Sequence, residues 1–184
     1  VSGTLVGGSP ESWREVEHDG LRVVQLPRED LYFESWFKCW SPTVSRAFGK
    51  LLGVERPDVV HVHHWLRLTS DLVRLAAAHG AKTVATVHDY YPALASPVRR
   101  LGQDRAEAPS SPSYVSAAER DEAFAFHRAD FVDELRAADL RLAPTLAHGE
   151  GVQSMLPESV GEIAAHAPPM KWSAGRSGNL PRSR

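Results

Sequence analysis

His61, His63 and His64 stand together in HVHHWL, and His88 precedes Asp89 in TVHDYY. Imidazole titrates near neutral pH, so each of these groups can take or give a proton, or hydrogen-bond a hydroxyl. A His-x-His on a strand near an aspartate is also a ligand pattern for zinc or another divalent ion. A small metal-dependent hydrolase using His61, His63 and His88 would show that pattern. HVHHWL lacks the acidic residue that such hydrolases commonly place a few positions later, and a barrel hydrolase takes about 250 residues. No resident metal is therefore expected. Each residue also has a structural reading: a strand-end histidine can bond a backbone carbonyl, and Asp89 can hold its loop through an Asx-turn. Arg67, Arg99 and Arg100 offer bidentate donors to a phosphate or an acidic acceptor, although most surface arginines meet neither.

The elements around these residues read as strand, helix, strand from Pro57 to Pro92. Val59, Val60 and Val62 are β-branched and apolar, as in a strand buried on both faces. Side chains alternate along a strand, so His61 and His63 share a face. Thr69 or Ser70 can cap the helix, Leu68, Leu72, Leu75 and Ala76 recur at helical spacing, and Gly80 suits a left-handed end. Thr83 to Val87 reads as the second strand, with Thr86 on the face of His88. A βαβ crossover takes about 30 residues and is nearly always right-handed. Both strands then point the same way, and ligands of open α/β sheets bind outside the carboxyl ends of the strands. The spacing predicts His63 and His88 side by side at such an edge.

Other segments complete an α/β pattern. After a polar opening, Leu21 to Leu26 reads as a short strand stopped by Pro27, and Pro42 to Leu52 as a helix ended by Gly53. Leu31 to Trp40 is dense in aromatics, which either pack under the sheet or form an exposed wall for an acceptor sugar or lipid. Pro92 to Tyr114 carries four prolines and no element of any length, with Ala106 to Ser113 expected to be disordered. Ser116 and Glu119 form a capping box for a long helix to about Ala137. Leu140 to Ala143 reads as a strand, and Thr145 as the cap of a last helix to about Leu156. Residues 167–184, with Lys171, Arg176, Arg182 and Arg184 and no acid, read as a basic linker remnant or disordered tail, leaving 1–166 as one domain.

At 184 residues the chain has length enough for a sizeable single core. Its 42% hydrophobic and 24% charged residues are ordinary for a globular protein. A net charge of −2 gives no ground for nucleic acid as a partner. Cys39, the single cysteine, cannot form an internal disulfide, which fits a reducing, cytoplasmic compartment. No apolar run reaches a membrane-spanning length and no signal peptide opens the chain; peripheral contact with a membrane stays open. There is no Gly-x-Gly-x-x-Gly after a strand, no P-loop and no nucleophile elbow, which argues against dinucleotide binding, P-loop chemistry and Ser-His-Asp hydrolysis.

PDVVHVHH, then GAKTVATVHDYY, then AADLRLAPT resemble the N-terminal domain of family 4 glycosyltransferases of the GT-B fold. The likeness spans roughly Gly20 to Leu156. It implies a Rossmann-like parallel sheet with helices on both faces, and the acceptor-side half of a retaining enzyme that moves a sugar from a nucleotide-sugar to a hydroxyl. It implies His88 as the catalytic residue in the interdomain cleft, His63 at the cleft edge and His61 partly buried. His64, Asp89, Tyr90 and Arg67 would join His63 in binding substrate, with Trp36, Phe37 and Trp65 at the open edge. No cofactor would be bound by this chain, the nucleotide-sugar being held by a C-terminal donor-binding domain that these residues do not include. The family pattern also has a Cys-Pro pair after the His-Asp motif, where this chain reads PALASPVRR. A non-catalytic domain that binds a glycan or a protein partner is the remaining alternative.

Overall fold

A computed structural model describes residues 2–4, 13–27, 40–66, 68–96 and 116–166. The aromatic run up to Cys39, the Gly7-Gly8 pair, Arg67, Arg99, Arg100, the 106–113 segment and the basic tail lie outside the described residues.

Among the described residues, two sheets carry the fold. In the first, β1 (Ser2–Thr4) runs parallel to β3 (Leu21–Pro27), and β2 (Arg14–His18) pairs antiparallel with β3. The polar opening thus contains a strand that its hydrophobicity did not announce: REVEH is mostly exposed. Its signal is the turn, since Asp19 and Gly20 both have positive φ (50° and 77°), as the Asp-Gly of a tight hairpin requires.

The second sheet is parallel throughout, in the order β4 (Val59–Val62), β5 (Lys82–Thr86), β6 (Leu140–Ala143), β7 (Ala164–Ala165). The helices are α1 (Pro42–Glu55), α2 (Leu72–Ala78), α3 (Tyr91–Leu94), α4 (Ala117–Arg136) and α5 (Leu146–Gln153), with a 3-10 turn at Glu158–Val160. This is the α/β, Rossmann-like arrangement expected. The expected capping box holds, Ser116 Oγ accepting from Glu119 N while Glu119 accepts from Ser116 N. Gly80 has the expected left-handed conformation, φ 86°.

Several boundaries differ from expectation for tertiary reasons. Gly53 does not end α1, which runs on until Arg56 turns left-handed at φ 44°. The three valines of β4 suggested burial on both faces, but β4 is the end strand of its sheet among the described residues, and Val59 is 57% exposed. Register explains this. Val62, Ala85, Val87 and Ala143 lie on the buried face at 5% exposure or less, whereas Val59, His61 and Leu140 lie on the other face and are exposed. Neither Thr69 nor Ser70 caps α2. Asp71 holds the cap position without a side-chain capping bond, and the cap comes from α4: Glu134 accepts from Val73 N at 2.6 Å and Arg74 N at 3.1 Å. Thr69 instead donates to Asp71 Oδ1.

Glu134 is fully buried and also accepts from Trp65 Nε1 at 2.8 Å and Arg74 Nε at 3.1 Å. Trp65, expected at an open edge, is therefore a core residue at 4% exposure, edge-on to Phe131. Burial pushes the Glu134 carboxyl up to about 7, against its four donors and the Arg74 charge. His127 of α4 is also buried; its Nε2–H donates to Tyr91 O at 2.8 Å, so α4 supports the start of α3. Burial lowers the His127 pKa to about 4 and keeps the ring neutral.

Candidate functional site

The edge formed by the carboxyl ends of the parallel strands gathers the histidines. His61 sits opposite Val84 in the ladder, yet its Nε2 bonds Thr86 Oγ1 at 2.7 Å. Beyond the ladder, His63 Nδ1 meets His88 Nε2 at 2.9 Å and His64 Nε2 meets Asp89 Oδ2 at 2.7 Å. All three bonds span 25 residues. They are repeats of one diagonal pairing across twisted parallel strands. Alternation sends His61, His63, Thr86 and His88 to one face and His64 and Asp89 to the other.

The rings also lie against one another, His63 and His88 stacked and His61 tilted on His63. The His61 and His63 centroids are 3.9 Å apart, and those of His63 and His88 are 5.2 Å apart at 21°. All three side chains belong to exposed residues, His61 more so than the partial burial expected of it. Partial desolvation lowers all three pKa values below 6.5, and neighbouring imidazoles lower them further. For His61 the neighbours are His63 and His166, for His63 it is His88, and for His88 they are His64, His61 and His148. Asp89 pulls His88 the other way without reversing the shift. At pH 7 these rings are neutral, fit to exchange hydrogen bonds with hydroxyls.

Asp89 and His64 do not point outward together. They bond each other, and Asp89 Oδ1 accepts from Tyr91 N at 2.9 Å, the Asx-type contact foreseen as its structural role. Tyr90 is half-buried, its ring edge-on to His148 at 4.9 Å. His148 was missed in the sequence. It lies in the first turn of α5, capped by Thr145, whose Oγ1 accepts from His148 N. The strand-end rule that found His63 and His88 applies equally to His148 after β6 and His166 after β7. Among the described residues, no group of three or more His, Cys, Asp and Glu side chains is arranged to hold a metal ion.

A family model described as Glycosyltransferase Family 4 matches residues 5–146, well over half the chain, and this stretch contains the whole His61–Asp89 constellation. The chain belongs to glycosyltransferase family 4. Neither a curated protein nor a solved structure matches it. Membership supports a glycosyltransferase-type function and suggests a sugar acceptor as the class of molecule bound. No described helix is long and apolar enough to cross a membrane.

Proposed function

We propose that this chain is the acceptor-side half of a retaining glycosyltransferase of GT-B architecture, which moves a sugar from a nucleotide-sugar to a hydroxyl. The observation that carries the reading is the His63–His88 bond at 2.9 Å, at adjacent strand ends within the family-matched stretch. His88 is the catalytic residue. A neutral imidazole there orients the transferred sugar and stabilises charge that develops in the transition state, and electrostatic positioning of this kind is usually the largest catalytic term. His63, His64, Asp89, Tyr90 and Arg67 are the substrate-binding set. His63 reaches the ligand directly, and Tyr90 with His148 forms the neighbouring wall. His64 and Asp89 act through their mutual bond.

The nucleotide-sugar is held mainly by a second domain, so these residues alone do not transfer sugar. Holding donor and acceptor in one geometry can account for about 7–11 kcal/mol of a barrier, and an isolated half forfeits most of it. A transfer assay compares the isolated 184 residues with the same residues joined to a nucleotide-sugar-binding domain. Transfer by the joined form only is expected; robust transfer by the isolated chain would overturn the reading.

A further inference from the structure

His64 and Asp89 form a bridge between two loops. Leu66 N–H donates to His64 Nδ1 at 2.9 Å, which leaves the His64 proton on Nε2 to donate to Asp89 Oδ2 at 2.7 Å. Asp89 Oδ1 then accepts from Tyr91 N–H at 2.9 Å. The chain of bonds thus runs from the backbone after β4 to the backbone at the start of α3. His63 precedes one end of the bridge and His88 the other, and both project to the opposite side of their chains. Fixing the bridge therefore fixes where the two outer rings meet.

The meeting of those rings has a chemical consequence. The bond between His63 Nδ1 and His88 Nε2 needs one donor and one acceptor. A neutral imidazole carries one N–H and one lone pair. Whichever ring donates inward presents its lone pair outward, and the ring that accepts inward presents its N–H outward. A neutral couple always shows the ligand one donor and one acceptor, on His63 Nε2 and His88 Nδ1. Neither atom has a protein partner among the described residues. A hydroxyl both donates and accepts, so it matches the couple in either tautomeric arrangement.

We propose that His64 and Asp89 are positioning residues that lock His63 and His88 into one hydrogen-bonded couple, which grips a sugar hydroxyl with one donor and one acceptor. The proposal rests on reading this edge as the hydroxyl-binding site, but its test needs no activity. Long-range proton–nitrogen spectra of the nitrogen-15-labelled 184-residue chain at pH 7.5 report the tautomer of each imidazole. The expected result is His64 held as the Nε2–H form, with His63 and His88 in opposite tautomers or exchanging together between them. Asp89→Ala and His64→Asn should each release both outer rings to the tautomer mixture of a free histidine. Asparagine at 64 keeps an acceptor for Leu66 N–H while dropping the bond to Asp89. A wild-type His64 with its proton on Nδ1, or outer rings whose spectra neither substitution alters, would overturn the proposal. The wild-type tautomers decide it even if a variant unfolds. The transferase reading stands or falls separately, on the transfer assay.

Discussion

Glu134 and His88 are both ionisable groups held by hydrogen bonds, and the chain surrounds them in opposite ways. Glu134 is fully buried, and its carboxylate is consumed by donors from Trp65, Val73 and Arg74. His88 is exposed, and one ring nitrogen is tied to His63 while the other has no partner among the described residues. Both are perturbed by burial, in the directions that neutralise each group. A perturbed pKa alone therefore does not separate a structural group from a candidate site residue; bonding capacity left over among the described residues does.

The contrast can be broken by substitution, and the largest effect belongs to the closed region. Glu134→Ala leaves the Trp65 N–H and the first turn of α2 without their acceptor, and leaves Arg74 with Asp130 as its remaining carboxylate partner. We expect a loss of about 3 kcal/mol or more, since each buried donor left unsatisfied costs about 1–3 kcal/mol, read by chemical denaturation. A loss below about 1 kcal/mol would show that water or Asp130 replaces the carboxylate at no cost.

The next effect is a pH dependence. His127 has a pKa of about 4 in the folded chain against 6.5 ordinarily. Between those values the unfolded chain takes up a proton that the folded chain refuses, so stability drains as pH falls from 6.5 to 4. The amount is about 3 kcal/mol. Glu134 acts in the opposite sense: its pKa of about 7 against 4.5 drains stability as pH rises from 4.5 to 7. The two partly cancel in the wild type, so the variant isolates one of them. His127→Gln keeps a donor for Tyr91 O and does not titrate, and should lose about 3 kcal/mol less than wild type between pH 6.5 and 4. Parallel stability curves for the two would contradict the account.

The smallest effect belongs to the open region. His61→Ala removes an exposed ring with one bond to Thr86. Its cost in stability should stay within about 1 kcal/mol, the worth of an ordinary hydrogen bond. A larger loss in a thermal melt would place His61 with Glu134, among the structural groups.

The open region was also the legible one. Valine runs, a helical stripe and Gly80 located β4, α2 and β5, and the strand-end rule then placed His63 beside His88 without any long-range information. The Ser116 and Glu119 capping box was equally local. What escaped depended on partners far along the chain. Glu134 caps α2 from some 60 residues away, so Thr69 and Ser70 looked like the better caps. Trp65 follows HVHH and looked like an edge aromatic, but the Glu134 acceptor and the Phe131 ring draw it inward. The Asp19-Gly20 turn and His148 carried local signals that hydrophobic patterning alone does not register.

The central claim is that His88 acts in the reaction and not in the fold, and one measurement tests it most directly. In these residues joined to a nucleotide-sugar-binding domain, His88→Ala should lower kcat by about a hundredfold or more, within the range for a positioned acid–base or polar group. The thermal midpoint should stay near that of the wild type. An unchanged kcat, or a midpoint that falls as far as that of Glu134→Ala, would contradict it.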